Sequence, residues 1–251
     1  MLRRLALSAT FAQTSSVTPD LYRIDPENEL LARGPSSRLT AEMLRDAALA
    51  VSGLLVRDVG GPSVRPYQPP GLWQEKSGHK YQPSKGKGLY RRSLYTYWKR
   101  TSPPPSMMIL DAAKRDVCSA RRQSTNTPLQ TLVLWNDPQF AEAARVLAAR
   151  VLQALPQDAP DEVSDEQRVL LVARDLFLRV AGRPPRDEEV EAILNLWRAE
   201  YAALGSDPDR AEAIANVGEA PAAEGLDRIE HASWSIVGAM LLASEPVVTL
   251  R

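Results

Sequence analysis

The sequence predicts a mainly α protein, namely a helical domain with a Pro/Gly-rich irregular central segment in which one short strand or hairpin can form. Three observations support this fold class. Apolar residues recur at helical spacing in several windows, helix-capping sequences precede those windows, and residues 60–73 carry four prolines and three glycines. The chain has 251 residues, of which 44% are hydrophobic and 25% charged, so its composition is that of an ordinary globular protein.

The N-terminal third is predicted to contain two helices separated by a loop. Residues 1–10 should form the remnant of a helix, and the loop from Gln13 to Asn28 carries Thr-Pro and Asp-Pro steps that disfavour helix. Arg38–Gly53 should form the next helix, because Thr40 can cap its start and Gly53 suits the left-handed position after its end. In the first helix, Leu2, Leu5 and Leu7 are expected to face inward. The second helix is predicted from apolar residues that recur at helical spacing, namely Leu39, Met43, Ala47, Ala50 and Leu54.

The central segment should be largely irregular. Residues 60–73 are predicted to run extended over the surface, held by the side chains of Tyr67, Leu72 and Trp73. The aromatic and β-branched residues of Leu89–Tyr97 favour a short extended segment, with a helix of the same length as the alternative.

Capping signals define the remaining helices. Thr127 and Gln130, like Ser164 and Gln167, have the spacing of a capping box, and Asp137-Pro138 combines a cap with proline in the first turn. The predicted helices run from 128 to 135, from 138 to 155 with Pro156 at the end, from 165 to 181, from 187 to 204, from 207 to 217 and from 227 to 244. We expect residues 1–155 and residues 156–251 to pack together as one domain.

The zero net charge conceals an asymmetry along the chain. Residues 76–122 contain 12 Lys/Arg and 2 Asp/Glu, a net charge of +10, whereas residues 156–251 contain 9 and 19, a net charge of −10. A basic block with interleaved aromatic residues can bind a polyanion. The alternative, which we favour, is that the basic middle and the acidic end neutralise each other within one fold.

The sequence indicates no particular reaction. The single cysteine, Cys118, excludes an intrachain disulfide, and the C-x-x-C-H motif of c-type haem attachment is absent. The two histidines, His79 and His231, lack a second ligand at metal spacing, so we expect no metal site and no cofactor. Catalytic residues stay unassigned. A hydrolase with Asp111 and Asp116 as paired acids, supported by Glu75, is the enzymatic alternative, although structural ion pairs with nearby arginines are the simpler interpretation.

The most promising surface for a ligand combines arginines with tyrosine and tryptophan. Guanidinium groups match the geometry of sulfate or carboxylate, and aromatic faces stack on sugar rings or bases. The candidate binding residues are Arg91, Arg92, Tyr95, Trp98, Lys99, Arg121 and Arg122, with Arg100 beside them.

Several strings identify the family that the chain resembles: RDAALAVSGLL, GGPSVRPYQPPGLW, LYRRSLYTYWKRT, PPPSMM, RRQSTNTPLQ and NDPQF. They resemble the domain of unknown function at the C-terminal end of large planctomycete cytochrome c-associated proteins. The chain departs from that pattern at Arg186, where the family has Thr or Ser, so Asp187 is expected to cap the following helix. It also ends LLASEPVV instead of the family's Leu-Asn-x-Asp/Glu pattern, with Pro246 stopping the last helix.

The resemblance implies the C-terminal portion of an exported or periplasmic multidomain protein, although localisation does not follow from this chain itself. Met1–Ala12 resembles a short signal peptide in composition, but the family resemblance implies that it is an internal stretch. The implied partners are a cytochrome c module or other domains of a longer chain, and an acidic or sulfated glycan in preference to nucleic acid. No apolar run reaches the roughly 18 residues that a membrane span requires.

Overall fold

A computed structural model describes residues 1–118, 120–155 and 164–250, apart from the side chains of Lys76, Ser77 and Leu250. The protein is mainly α, as predicted. Its contacts divide the chain into two compact units: residues 1–39 with the C-terminal residues from 245 onward, and residues 40–244. The predicted division into 1–155 and 156–251 falls beside residues 156–163, outside the described residues, and stays a prediction.

The first unit joins the two ends of the chain through a short antiparallel pair. Its elements are α1 (Leu2–Ala6), α2 (Pro19–Ile24), β1 (Ser37–Arg38), α12 (Glu245–Val248) and β2 (Thr249–Leu250). Ser37 pairs with Leu250 and Arg38 with Thr249. The inward orientation predicted for Leu2, Leu5 and Leu7 is wrong, since all three side chains are exposed. Their helix has five residues, which is too short to present a continuous apolar face.

Two further corrections concern this unit. α2 lies within the predicted loop, where Thr18 caps its first turn by accepting a hydrogen bond from the Leu21 amide at 3.2 Å. Pro246 does not simply end the chain's last helix. It lies in the first turn of α12, where the amide that proline lacks would have no helical partner.

The second unit is built on long helices. Its elements are α3 (Ala41–Ser52), α4 (Leu72–Ser77), α5 (Pro105–Ile109), α6 (Pro128–Asn136), α7 (Pro138–Ala154), α8 (Asp165–Ala181), α9 (Asp187–Gly205), α10 (Pro208–Ala215) and α11 (Arg228–Ala243). Helices α7, α8, α9 and α11 enclose the main apolar core, in which Leu147, Val151, Leu176, Ile193 and Trp234 are almost fully buried. Burial of these side chains supplies most of the driving force for this part of the fold.

Several predicted caps are confirmed. The Thr40 hydroxyl accepts from the Met43 amide at 3.3 Å, and Gly53 is left-handed at φ 80°. Ser164 and Gln167 bond each other reciprocally at 3.2 and 3.3 Å at the start of α8. Asp137 accepts from the Gln139 amide at 3.0 Å at the start of α7. Pro156, predicted to end α7, lies outside the described residues.

Three sequence predictions in this unit are wrong. The buried face of α3 is displaced by one residue from the predicted stripe, so Leu44, Arg45 and Ala48 are buried whereas Met43 is exposed. Leu44 and Ala48 also lie at helical spacing, so the apolar pattern alone fits either face, and the buried arginine belongs to the observed one. The N-cap of α9 is Arg186 and not Asp187. Its amide is bonded at 2.8 Å by the Glu189 carboxylate, which also pairs with Arg183 at 2.6 Å.

The third correction concerns the central segment. Leu89–Tyr97 is not one extended segment. The 3₁₀ turn Gly86–Tyr90 runs into its start, and a second 3₁₀ turn, Ser93–Tyr95, lies between single bridges from Arg91 to Val56 and from Thr96 to Val64. The predicted extended stretch before it ends in α4, which begins at Leu72. The predicted anchoring by Trp73 is confirmed, since its side chain is buried.

Candidate functional site

The basic central segment is attached to α3 by a buried arginine and its neighbouring aspartate. The Arg45 guanidinium donates to the Leu89 carbonyl at 2.6 Å, to the Arg91 carbonyl at 2.8 Å and to the Gln139 side chain at 2.5 Å. The Asp46 carboxylate accepts from the amide and hydroxyl of Ser93 at 2.8 and 2.7 Å. Burial lowers the pKa of Arg45 to about 10, which still leaves it charged at neutral pH. Arg45 and Asp46 thus bond backbone groups of the central segment that a neighbouring strand would bond in a β-sheet.

Arg91, the first predicted binding residue, has the same structural role. Its side chain is 8% exposed, and its guanidinium donates to the carbonyls of Asp58 at 3.2 Å, Gly60 and Pro62 at 2.9 Å. It also lies 3.8 Å from the centre of the Tyr95 ring, whose hydroxyl accepts from the Gly60 amide at 2.8 Å. Arg91 and Tyr95 therefore fix the glycine-rich turn after residue 57.

Trp73 is the centre of an aromatic cluster covered by two cations. The rings of Tyr81 and Tyr97 lie 5.0 and 5.8 Å from the Trp73 ring. Arg65 and Lys99, the latter a predicted binding residue, lie 5.5 and 4.4 Å from its centre. Cation–π contacts of this kind are worth more where the ring is shielded from water.

A second cluster, which we term the Trp98 cluster, is more accessible. It brings residues 98–100 against residues 114–116. The Trp98 indole donates to the Lys114 carbonyl at 3.0 Å, and the Arg115 guanidinium lies 4.5 Å from the indole ring. Arg100 lies 3.8 Å from the Asp116 carboxylate, and both of these side chains are largely exposed. The members of the cluster are Trp98, Arg100, Lys114, Arg115 and Asp116.

The remaining predicted binding residues lie apart from these contacts. Arg122 pairs with Glu42 of α3 at 2.8 Å. Arg92 and Arg121 are exposed and take no part in the contacts described above. Several acids of the C-terminal third pair with arginines of the same third, as Glu230 does with Arg168 and Asp175 with Arg179. These ion pairs neutralise charge locally.

The two aspartates considered as paired acids have different environments. Asp111 has a left-handed backbone at φ 63°, and one of its carboxylate oxygens accepts from the amide and hydroxyl of Thr125 and from the Gln130 side chain at 2.7, 2.8 and 3.0 Å. Asp116 is exposed beside Arg100. Asp111 thus holds the turn that precedes α6, and Asp116 belongs to the Trp98 cluster. Glu75 is exposed in the first turn of α4.

A buried polar group that the sequence analysis missed lies on α7. The Glu142 carboxylate accepts from the Tyr90 hydroxyl at 2.7 Å and from the amides of Glu219 and Ala220 at 2.7 and 2.6 Å. One turn later, Arg145 donates to the carbonyls of Val217 at 2.9 Å, Ala220 at 2.6 Å and Pro221 at 3.2 Å. The available sequence signal was a pair of opposite charges, three residues apart, within an apolar helix.

His231 completes this group. Its ring nitrogen Nε2 lies 2.9 Å from the Arg145 carbonyl oxygen, so this nitrogen carries the hydrogen and donates it. Burial lowers the pKa of His231, and burial likewise raises the pKa of Tyr67, beside Glu142, to about 12. Glu142 and Arg145 hold the loop between α10 and α11 through its backbone, and His231 joins α11 to the backbone of α7.

An apolar groove of about 460 Å³ lies beside α6. Its walls are the Pro-rich stretch from Tyr67 to Pro70, the start of α5 and the exposed side of α6. The Gln68 side chain lines the groove, and its Nε2 is buried without a hydrogen-bond partner. Asp137 lies at the end of the groove, and burial raises the pKa of its carboxyl. Sequence reasoning missed this site because its residues come from three separate stretches.

The described residues contain no cluster of three or more His, Cys, Asp or Glu side chains that could hold a metal ion. Cys118 is exposed. Within the described part of the chain, no helix combines the length and apolar character needed to cross a bilayer.

Comparison with known proteins gives one match. The family model PSD1, described as "Protein of unknown function (DUF1553)", matches residues 1–197. Neither a curated protein nor a solved structure matches the chain.

Proposed function

We propose that this chain, which belongs to the PSD1 family of proteins of unknown function (DUF1553), is a non-catalytic module that binds an acidic or sulfated glycan at the Trp98 cluster. The observation that supports this proposal is the exposure of Arg100 and Arg115, the second of which lies over the Trp98 indole ring. Guanidinium groups bind sulfate and carboxylate in a bidentate manner, and an aromatic face contributes stacking.

The proposal retains only part of the predicted binding surface. Arg92 and Arg121 are exposed and can add long-range attraction for a polyanion. Arg91 and Tyr95 contribute by fixing the neighbouring turn, since the Arg91 guanidinium already serves backbone carbonyls. Arg122 forms a close ion pair with Glu42 at 2.8 Å, whereas the contact of Arg100 with Asp116 is longer, at 3.8 Å.

The proposal includes no enzymatic role because the candidate acids already have partners within the protein. The carboxylate oxygen of Asp111 that faces Thr125 already accepts three hydrogen bonds, and Asp116 pairs with Arg100 at 3.8 Å. A general acid or base needs a carboxyl group within reach of the substrate. The resemblance of the chain to exported multidomain proteins supports a role in which other domains, or a cytochrome c module, act together with this binding module.

Affinity measurements with defined polysaccharides test the proposal. The full chain should bind heparin or polygalacturonate but not neutral dextran, and its affinity should fall steeply as salt concentration rises, because binding releases counterions. The double variant Arg100→Glu and Arg115→Glu should bind about tenfold more weakly or worse. A control with the same change in net charge, Arg174→Glu combined with Arg198→Glu at exposed positions of α8 and α9, should bind as the wild type does.

Three results would contradict the proposal. The first is equal loss of affinity in the control and in the double variant, which would indicate a nonspecific effect of net charge. The second is tighter binding of single-stranded RNA than of any glycan at the same salt concentration. The third is the appearance of new reducing ends on the polysaccharide, which would make the protein an enzyme.

A further inference from the structure

We propose that the groove beside α6 binds a neutral, apolar peptide segment and that Gln68 recognises one of its backbone carbonyls. The volume of about 460 Å³ lies within the roughly 300–1,000 Å³ typical of ligand sites. This site is separate from the Trp98 cluster in residues and in chemistry, so its ligand is not the glycan proposed above.

The walls of the groove are well suited to hold an apolar side chain. Four proline rings line it, those of Pro69, Pro70, Pro105 and Pro138, together with the apolar side chains of Ile109 and Val133. Because proline fixes its own backbone torsion φ, these walls lose little conformational freedom when a ligand enters. A preformed apolar groove of this kind binds with a smaller entropic cost than a flexible one.

The side-chain amide of Gln68 requires a hydrogen-bond acceptor in the ligand. Its Nε2 is buried and has no hydrogen-bond partner, which is an unfavourable state for an amide donor. The torsion of a terminal amide group is soft, so a small rotation presents this donor to the groove. A carbonyl oxygen of the bound ligand would then accept from it. The carboxylate of Asp137, at the end of the same groove, disfavours an anionic ligand.

The rim of the groove indicates a peptide in preference to a small molecule. Leu129 and Leu132 of α6 line the groove, lie one turn apart and are 53% and 55% exposed. They extend the apolar surface beyond the cavity itself. A peptide with two apolar side chains can fill the groove with one and cover this rim with the other, whereas a compact small molecule would leave the rim exposed to water.

Titration of the full-length chain by ¹H–¹⁵N NMR tests the inference with three probes. The capped tripeptide acetyl-Leu-Ala-Leu-amide should cause saturable shifts of the backbone amides of residues 129–137. The same tripeptide with a free C-terminal carboxylate should bind several-fold more weakly because of Asp137. Toluene, which is apolar but has no carbonyl, should not displace the capped peptide at equal concentration.

Two variants and one control make the test specific. Gln68→Glu replaces the donor by an acceptor and should weaken peptide binding about tenfold. Leu132→Lys, at the exposed rim, should weaken it independently. Gln123→Glu makes the same substitution at an exposed position outside the groove and should have no effect.

The inference is wrong if the capped peptide causes no saturable shifts, or if Gln68→Glu binds it as the wild type does. Equal competition by toluene would show a nonselective apolar cavity instead of a peptide site. The spectrum of each variant reports whether it is folded. If Gln68→Glu is unfolded, Leu132→Lys decides the matter, and undiminished binding by that variant overturns the inference.

Discussion

The helical core and the irregular central segment of the second unit are stabilised by different interactions. In the core, α7, α8, α9 and α11 bury apolar side chains such as Leu147, Leu176 and Trp234 against one another. In the central segment, short turns and single bridges replace long elements. The buried guanidinium groups of Arg45 and Arg91 and the partly buried carboxylate of Asp46 bond its backbone directly. Charged side chains therefore bond backbone groups of the central segment, whereas regular helical hydrogen bonds satisfy the backbone of the core.

This comparison changes how the basic block should be interpreted. A buried arginine whose guanidinium already donates to backbone carbonyls contributes charge to the sequence but little to a binding surface. Removal of such a group leaves backbone carbonyls buried and unpaired, which costs more than removal of an exposed charge. The predictions below test this distinction between the two regions.

The largest effect is expected for Arg45. Arg45→Met keeps much of the side-chain volume but leaves the carbonyls of Leu89 and Arg91 and the carboxylate of Asp46 without this partner. The free energy of unfolding should fall by about 3–5 kcal/mol, which is comparable to a large cavity in the core such as Leu176→Ala. Urea unfolding measures the change. Arg174→Met, at an exposed position, should alter stability by less than about 0.5 kcal/mol.

A smaller effect is expected for the loop held by Glu142. Gly218 has φ 91°, and a Cβ atom there would overlap the Glu142 side chain. Gly218→Ala should therefore destabilise the protein by about 2–3 kcal/mol through backbone strain and displacement of the carboxylate. Gly205→Ala at the end of α9 meets no neighbouring atom and should be neutral or stabilising by up to about 1 kcal/mol. Equal effects of the two substitutions in thermal unfolding would contradict the role given to Glu142.

The smallest of these effects depends on pH. Since burial lowers the pKa of His231 in the folded protein, the unfolded chain binds the proton more readily. The contribution of the neutral ring is therefore complete above the ordinary pKa of 6.5 and is lost as the pH falls towards the lowered value. Within that window, the free energy of unfolding should decrease by at most about 1.4 kcal/mol per pH unit.

His231→Gln provides the control, because a glutamine amide can still donate to the Arg145 carbonyl. Below pH 6.5, the free energy of urea unfolding of this variant should vary less with pH than that of the wild type. If the free energy of unfolding depends on pH in the same way in the two proteins, titrating carboxyl groups and not His231 cause that dependence.

The sequence predicted the long helices well because their signals are local. Ser164 and Gln167 are three residues apart, and Asp137 caps the turn that follows it, so a short window contains the whole signal. The contacts of the central segment are not local. Arg45 reaches carbonyls more than forty positions away, and nothing in the neighbouring residues marks it as buried.

The candidate sites show the same limit. Arg91 and Arg92 are adjacent and chemically identical in the sequence, yet one is buried among carbonyls and the other is exposed. Only the path of residues 58–62 distinguishes them. The groove beside α6 likewise depends on Gln68, Pro105 and Leu132 meeting in space, and a single sequence gives no sign that they do.

The matched substitutions Arg91→Gln and Arg92→Gln, followed by amide hydrogen exchange, test the central claim most directly. The amides to monitor are those of Val64 and Tyr97, which bond across the central segment at 2.8 and 2.7 Å, with Val151 in α7 as the core reference. The account predicts that Arg91→Gln accelerates exchange of Val64 and Tyr97 while Val151 stays protected, and that Arg92→Gln changes none of them. Equal acceleration by the two variants, or no acceleration by Arg91→Gln, would show that buried arginines do not hold this segment in place.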